Sequence, residues 1–580
     1  ALKDTITRAA FDGGVTARAG NGFASTFDRT QVFDGKGVLL GDTTKSTNAP
    51  SAGTASVVIA ESGSTGANVL ATATNDASVT NAGSIGGNLT ATAGNGTANV
   101  TETALEFDST GALVLSNVYE ETNTRSKGDA TVDIAATGVV DGSVFANATQ
   151  NIAIGNAGTI GGGVNATSSG NDSTRARTTL SPATVVDATA GTKTTKYSDV
   201  VETTNTSSTG KVDFTNAAGG IVGFNGVGNV NLTAGGDITI LNQGEVRGTT
   251  YAQSSGSKGA TSNSYKSTVV DDGKGGSSVT VERADSNSYT ATGGNVTGTY
   301  AGANGTKNFV PAAIGNVTQV ADLASTVTVT GSIFGNVSST AGNSGISGSL
   351  NKSGSTEATV LDVDGTGTFA GEYAQSYEST AIAGGDSKVV IAGRVATSNA
   401  GGSANVFSQG TNSSSVTISG SVEQDVTSNA FGAATVKSDD SGAVAQTITK
   451  GTYVTDKLTS KFGNSVVVTD GAASASITGK ATTSQDTVGG SVSVNGVKSA
   501  SADVASKAVV GGNLFVGANN VNDSESATER SYVRDAKTGV ASASEKVVST
   551  SGAAAAQGNA TATIAGTVEG GTYVAAGRGD

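Results

Sequence analysis

The apolar positions of this chain come in short alternating runs. Val327 and Val329, or Val389 and Ile391, place every second side chain on one face, which is the period of a β-strand. The runs stop at Gly after a few residues, and no stretch carries the 3.6-residue period of a long amphipathic helix. Thr, Ser, Val, Asn and Gly dominate, and all form helices less readily than Ala. The pattern predicts an all-β chain.

A repeat underlies the alternation. Val79-Thr-Asn81-Ala-Gly83-Ser-Ile85 is followed by related units centred on Gly138, on Asn156 with Gly158, and on Asn242 with Gly244. Each unit has a β-branched residue four before the first Gly and another two after it. A shorter form recurs around Gly331, Gly393, Gly420 and Gly566. These glycines are read as structural turns that need positive φ. Asn81, Asn156 and Asn242 are read as turn residues that tolerate the left-handed region and bond their neighbours. Strand, turn and strand repeated in this way predict a parallel β-helix, or β-solenoid. One coil cannot bury its inner face alone, so many must stack. About 15–20 coils would make a body roughly 70–100 Å long.

The spacing of the units is uneven, and the surplus is charged. Residues 102–129, 171–213, 257–289 and 521–549 are expected as long hairpin or loop insertions in a coil body covering 46–580. Residues 1–45 concentrate Phe11, Phe23, Phe27 and Phe33 among Arg and Asp, and are expected to cap the body or dock on a neighbour.

Composition narrows the chemistry. There is no Cys, His, Met or Trp, and formal charge is −14. That removes thiolate and imidazole metal sites, disulfides, Cys nucleophiles and the usual general base. Few cations on an acidic chain argue against nucleic acid as partner. No apolar run approaches the roughly 20 residues needed to span a bilayer as a helix. The absence of Cys and Met fits an exported protein, and the lack of an initiator Met suggests a processed or partial chain.

Asn-Ala-Gly-Ser-Ile-Gly-Gly at 81–87 and Asn-Ala-Gly-Thr-Ile-Gly-Gly at 156–162 resemble the passenger regions of bacterial autotransporters. They are also similar to filamentous-haemagglutinin-type exoproteins. The resemblance implies a right-handed coil, export across an outer membrane, and a surface role in adhesion or matrix. The charged insertions depart from that pattern.

Candidate catalytic groups are sparse. The adjacent carboxylates Glu120-Glu121, Asp271-Asp272 and Asp439-Asp440 point to opposite faces if they lie on strands, so none is a ready acid–base pair. No catalytic residue and no enzymatic activity is expected. Asp362, Asp364 and Thr366 have the alternating oxygen spacing of a calcium loop, the one cofactor candidate, but Tyr373 occupies the twelfth position. Arg578-Gly579-Asp580 spells an integrin-binding tripeptide. The expected function is an extracellular structural subunit of a bacterial filament, sheath or surface layer, self-associating end to end. An adhesin passenger contacting surface glycans or proteins is the alternative, and a carbohydrate-active β-helix enzyme the third.

Overall fold

The computed structural model describes residues 2–6, 10–20, 22–187, 190–271, 273, 277–302, 315–342, 346–360, 367–381, 385–397, 402–449, 452–469, 471–478, 487–518, 524–534, 541–551 and 558–576. Among them there is no helix. The described residues form a parallel β-helix of fourteen coils. Each coil gives a strand of five or six residues to a first sheet and one of four or five residues to a third. Short strands of two or three residues form the second face between them.

Pairing between coils is parallel and in register. Val57 stacks on Val79, then Val132, Ile154, Phe214 and Ile240 follow in one row. All are 0–2% exposed. Alternation along each strand turns these side chains inward, and stacking removes their remaining edges from water at about 25 cal/mol per Å². The core is one continuous column of Val, Ile, Leu and Ala. At mid-length its chemistry changes. Ser325, Ser387 and Ser414 on the first sheet face Ser339, Ser408 and Ser428 on the third, all at most 1% exposed. Their hydroxyls form a zigzag chain, with Oγ–Oγ distances of 2.8–2.9 Å.

The eight repeat glycines lie at bends, but none has positive φ. The expected reason for Gly83, Gly138, Gly158, Gly244, Gly331, Gly393, Gly420 and Gly566 is therefore corrected. They are required because coils touch there. A Cβ on Gly83 would overlap the carbonyl of Gly63, one on Gly158 that of Gly138, and one on Gly393 that of Gly331. Asn81, Asn156 and Asn242 are likewise strand ends turned into the core, 0–1% exposed. Asn156 Nδ2 donates to Asn216 Oδ1 at 2.8 Å, and Asn216 Nδ2 to Asn242 Oδ1 at 2.9 Å.

Every second coil interrupts its path between the third sheet and the next first-sheet strand to send out a β-hairpin. The seven hairpins pair Phe23–Phe33 with Leu39–Pro50, Thr97–Phe107 with Leu113–Arg125, Asn171–Asp187 with Thr192–Ser207, and Ser257–Asp271 with Ser277–Ala291. Ile346–Val360 pairs with Gly367–Ala381, Ala433–Thr449 with Thr452–Thr469, and Ser524–Arg534 with Ala541–Ser551. Together they form one fourteen-stranded antiparallel sheet, here called the wing. The alternation has a metric cause. Strands in either sheet lie about 4.8 Å apart, so two coils and one hairpin both advance about 9.6 Å. A hairpin on every coil would not fit, and one on every third would leave gaps. Residues 1–45 thus hold the first coil and most of the first hairpin.

Candidate interaction surface

Left-handed glycines are found at some coil corners, such as Gly219 and Gly223, and at two kinds of place where the wing is made. Gly37, Gly111, Gly191 and Gly273 sit at hairpin tips, with φ of 67–85°. Gly20, Gly94, Gly342 and Gly432 sit where the chain leaves the third sheet, with φ of 69–78°. At these exits a side chain of the following hairpin-free coil fills the root. Thr74 Oγ1 donates to the Ser51 carbonyl at 2.7 Å. Thr149 Oγ1 donates to the Ser126 carbonyl and accepts from the Gly128 N–H. In another such coil Asp322 Oδ2 accepts from Gly256 and Gly293 N–H instead.

Among the described residues the wing strands beyond the roots lie close to one another and not to the coil strands. The strands at 192–207 and 257–271 are half-exposed along their length, without the alternation of the coil strands. The wing is a single layer with water on both sides.

Its two faces nevertheless differ. Residues directly opposite in an antiparallel ladder share a face. One row runs Arg29, Thr44, Thr103, Val118, Arg177, Val201, Asn263, Asp285, and on through Asp440 to Phe462. Counting by twos from this row places Phe27, Tyr197, Tyr265, Arg283 and Tyr289 on the same face. The other face carries Lys45, Lys196, Lys258, Lys266 and Lys461 with Glu102, Glu202 and Glu282. The register places Tyr119, opposite Glu102, on that second face, and the lysines Lys193 and Lys352 on the first.

The aromatic–arginine face is open. Phe23 and Phe27 are each 66% exposed, Phe462 45% and Tyr289 43%. Tyr197 and Tyr265 meet with ring centroids 5.8 Å apart, and the Arg283 guanidinium lies 5.4 Å from the Tyr265 centroid. Two forked ion pairs join neighbouring strands on this face. Arg29 donates to both oxygens of Asp42, at 2.9 and 2.6 Å, and Arg177 to both oxygens of Asp199, at 3.0 Å each. The hydrogen bonds from Arg29 and from Arg177 hold the Asp42 and Asp199 carboxyls below the usual carboxylate range. At the roots of the second and third hairpins, Arg125, Lys127, Thr149, Asp172 and residues 206–210 line a cleft of about 300 Å³.

Of the residues singled out in the sequence, Phe23, Phe27 and Asp440 lie on this face, and the turn and metal candidates do not. Gly83, Gly138 and their equivalents, with the Asn81, Asn156 and Asn242 positions, belong to the coil corners. Asp362, Asp364, Thr366, Asp272 and the 578–580 tripeptide lie outside the described residues. Glu120 and Glu121 are consecutive on one hairpin strand, and Asp439 and Asp440 on another. Among the described residues no three acidic side chains gather as a metal site, and no helix is long and apolar enough to cross a membrane. The wing face went unseen because its members are far apart in sequence. The signal available was parity. Phe23, Phe27 and Phe33, or Arg175 and Arg177, recur at even spacings. Comparison with known protein families, with characterised proteins and with solved structures returns no match for this chain.

Proposed function

We propose that the protein is an extracellular structural subunit that stacks end to end into a bacterial surface filament, sheath or layer. The observation that carries the reading is the in-register parallel stacking of the coils, in which Val57, Val79, Val132 and Ile154 repeat one inward row from coil to coil. A column built in this way can accept the coil of another molecule in the same register, through unpaired backbone groups and apolar side chains at a strand edge. A contact between one end and the other is heterologous and does not close on itself, which is the geometry of a fibre. The resemblance to exported β-helix proteins and the absence of Cys support an extracellular setting.

Negative-stain microscopy of the purified chain tests this. Fibres with an axial repeat of about 67 Å, fourteen coils, are expected. Isolated rods of that length at all concentrations would reject it. A second reading, an adhesin rod that contacts a neighbouring surface, is favoured by the open aromatic face of the wing and predicts those isolated rods.

A further inference from the structure

We infer that the aromatic–arginine face of the wing is an interface between two copies of this chain, packed wing to wing as a two-layer sheet sandwich. The inference goes beyond end-to-end assembly and does not rest on it.

A sheet wetted on both sides gains from sorting its residues by face only through cross-strand pairs. One-sided patterning beyond such pairs is what a sheet shows when one face is to be covered. The contacts of Arg29 with Asp42, Arg177 with Asp199, and Tyr197 and Arg283 with Tyr265 account for those residues within one chain. Phe27, Tyr289 and Phe462 stand on separate hairpins and remain open. Enrichment in aromatic residues and Arg, with most Lys and Glu on the other face, is the composition of protein–protein interfaces. Lys and Glu mark the opposite face as the one kept in water.

Three features select a second copy as the occupant. The first is charge. Arg29–Asp42 and Arg177–Asp199 are paired within the chain and Arg283 and Asp285 carry opposite signs, so the face presents no single-signed field that would oppose a second copy under a two-fold axis. The second is relief. Tyr289 is flanked across the ladder by Gly259 on one side and Gly348 on the other, so a projecting ring stands between two gaps. A facing sheet of the same design interdigitates, as large and small residues do between packed layers. The third is area. Fourteen strands of about eleven paired residues present roughly 2,000 Å² on one face, so even half overlap exceeds the roughly 800 Å² per partner of a stable complex.

The test is sedimentation velocity on the full chain, with far-UV circular dichroism to check folding. The wild type is expected to sediment as a dimer at about 10 μM. Tyr265→Glu with Tyr289→Glu is expected to be monomeric with an unchanged β spectrum. Lys258→Ser with Lys266→Ser, on the opposite face, is expected to remain dimeric. Because the chain has no Cys, single cysteines give a second readout. Asn263→Cys is expected to cross-link between copies with a short bismaleimide, and Lys266→Cys is not. A wild type monomeric up to about 100 μM overturns the inference. So does equal cross-linking at both cysteines. So does retention of the monomer on a polysaccharide matrix that the Tyr variants lose, which would make the face a glycan platform. Long fibres of single width would leave end-to-end assembly standing and reject this interface.

Discussion

At the scale of single residues, close approach decides more than conformation does. Gly393 and Gly35 are both glycines at bends or tips without positive φ, yet they are unequal. A Cβ at Gly393 would run into the backbone of Thr330 and Gly331 in the coil below, and one at Gly35 would meet nothing within 4 Å. Gly393→Ala is therefore expected to cost about 1–3 kcal/mol, the range for overpacking a core, and Gly35→Ala to be neutral. Urea midpoints on the two variants check this, and equal midpoints would remove close approach as the reason for the repeat. The serine column obeys a different rule. Ser387 Oγ bonds Ser339 and Ser408 while fully buried, so Ser387→Ala strips partners from both neighbours at once. A loss of about 1–3 kcal/mol is expected, from two hydroxyls each left short of one partner in a buried column, against a few tenths for Ser→Ala on the wing. The same urea series reads it.

At the scale of elements, corners and hairpins are held by polar caps that pass from coil to coil. Asp237 shows the pattern. Its Oδ1 accepts the Asn295 backbone N–H at 3.0 Å, and Lys211 Nζ lies 2.9 Å from its Oδ2. The Asn295 N–H first, then Lys211, hold its carboxyl below the ordinary range against the opposing effect of burial. A carboxyl lowered on folding stabilises the native state above its unfolded pKa, and that contribution disappears as pH falls through the folded value. The unfolding midpoint is thus expected to be flat from pH 8 to about 5 and to drop below about 4. Asp237→Asn should flatten part of that drop. A midpoint that rises on acidification would contradict the assignment. The sequence made the coil elements legible because Val79, Gly83 and Ile85 repeat as one short word. It did not disclose the coil at Phe214–Val222, where Asn216 and Gly220 stand two residues further apart than Asn156 and Gly158, which shifts the word. Nor did it disclose the hairpins at 346–381 and 433–469. Their Ser- and Thr-rich strands carry only sparse evenly spaced apolar residues, such as Phe369, Tyr373 and Tyr377, because neither face is buried in the coil body. The wing face was the least legible of all, since it exists only through register between strands up to several hundred residues apart.

At the scale of the whole molecule, the matched pitch of coil and wing constrains how the protein can change length. Ala77, Ala130 and Ile152 occupy one row of the first sheet in successive coils. Deleting residues 130–151 removes one hairpin-free coil and rejoins the row without breaking the inward pattern. It also brings the hairpins at 97–125 and 171–207 onto adjacent coils. Two hairpins then need about 19 Å where the coils supply about 14 Å, so the wing is pushed out of step by one strand. Deleting residues 77–151 removes a hairpin-bearing and a hairpin-free coil together. The strand at 39–50 then meets the strand at 171–187 with antiparallel polarity preserved, and both sheets can close. Both deletions lose Thr149, so its root contacts do not separate them. Limited trypsin digestion is the measurement, since Arg175, Arg177, Lys193 and Lys196 lie on the hairpin concerned. The shorter deletion is expected to be cut rapidly in the wing while the coil body survives, and the longer one to resist as the wild type does. Equal resistance of the two would mean that the wing is not bound to the pitch of the coils, and the two-coil period would lose its physical cause.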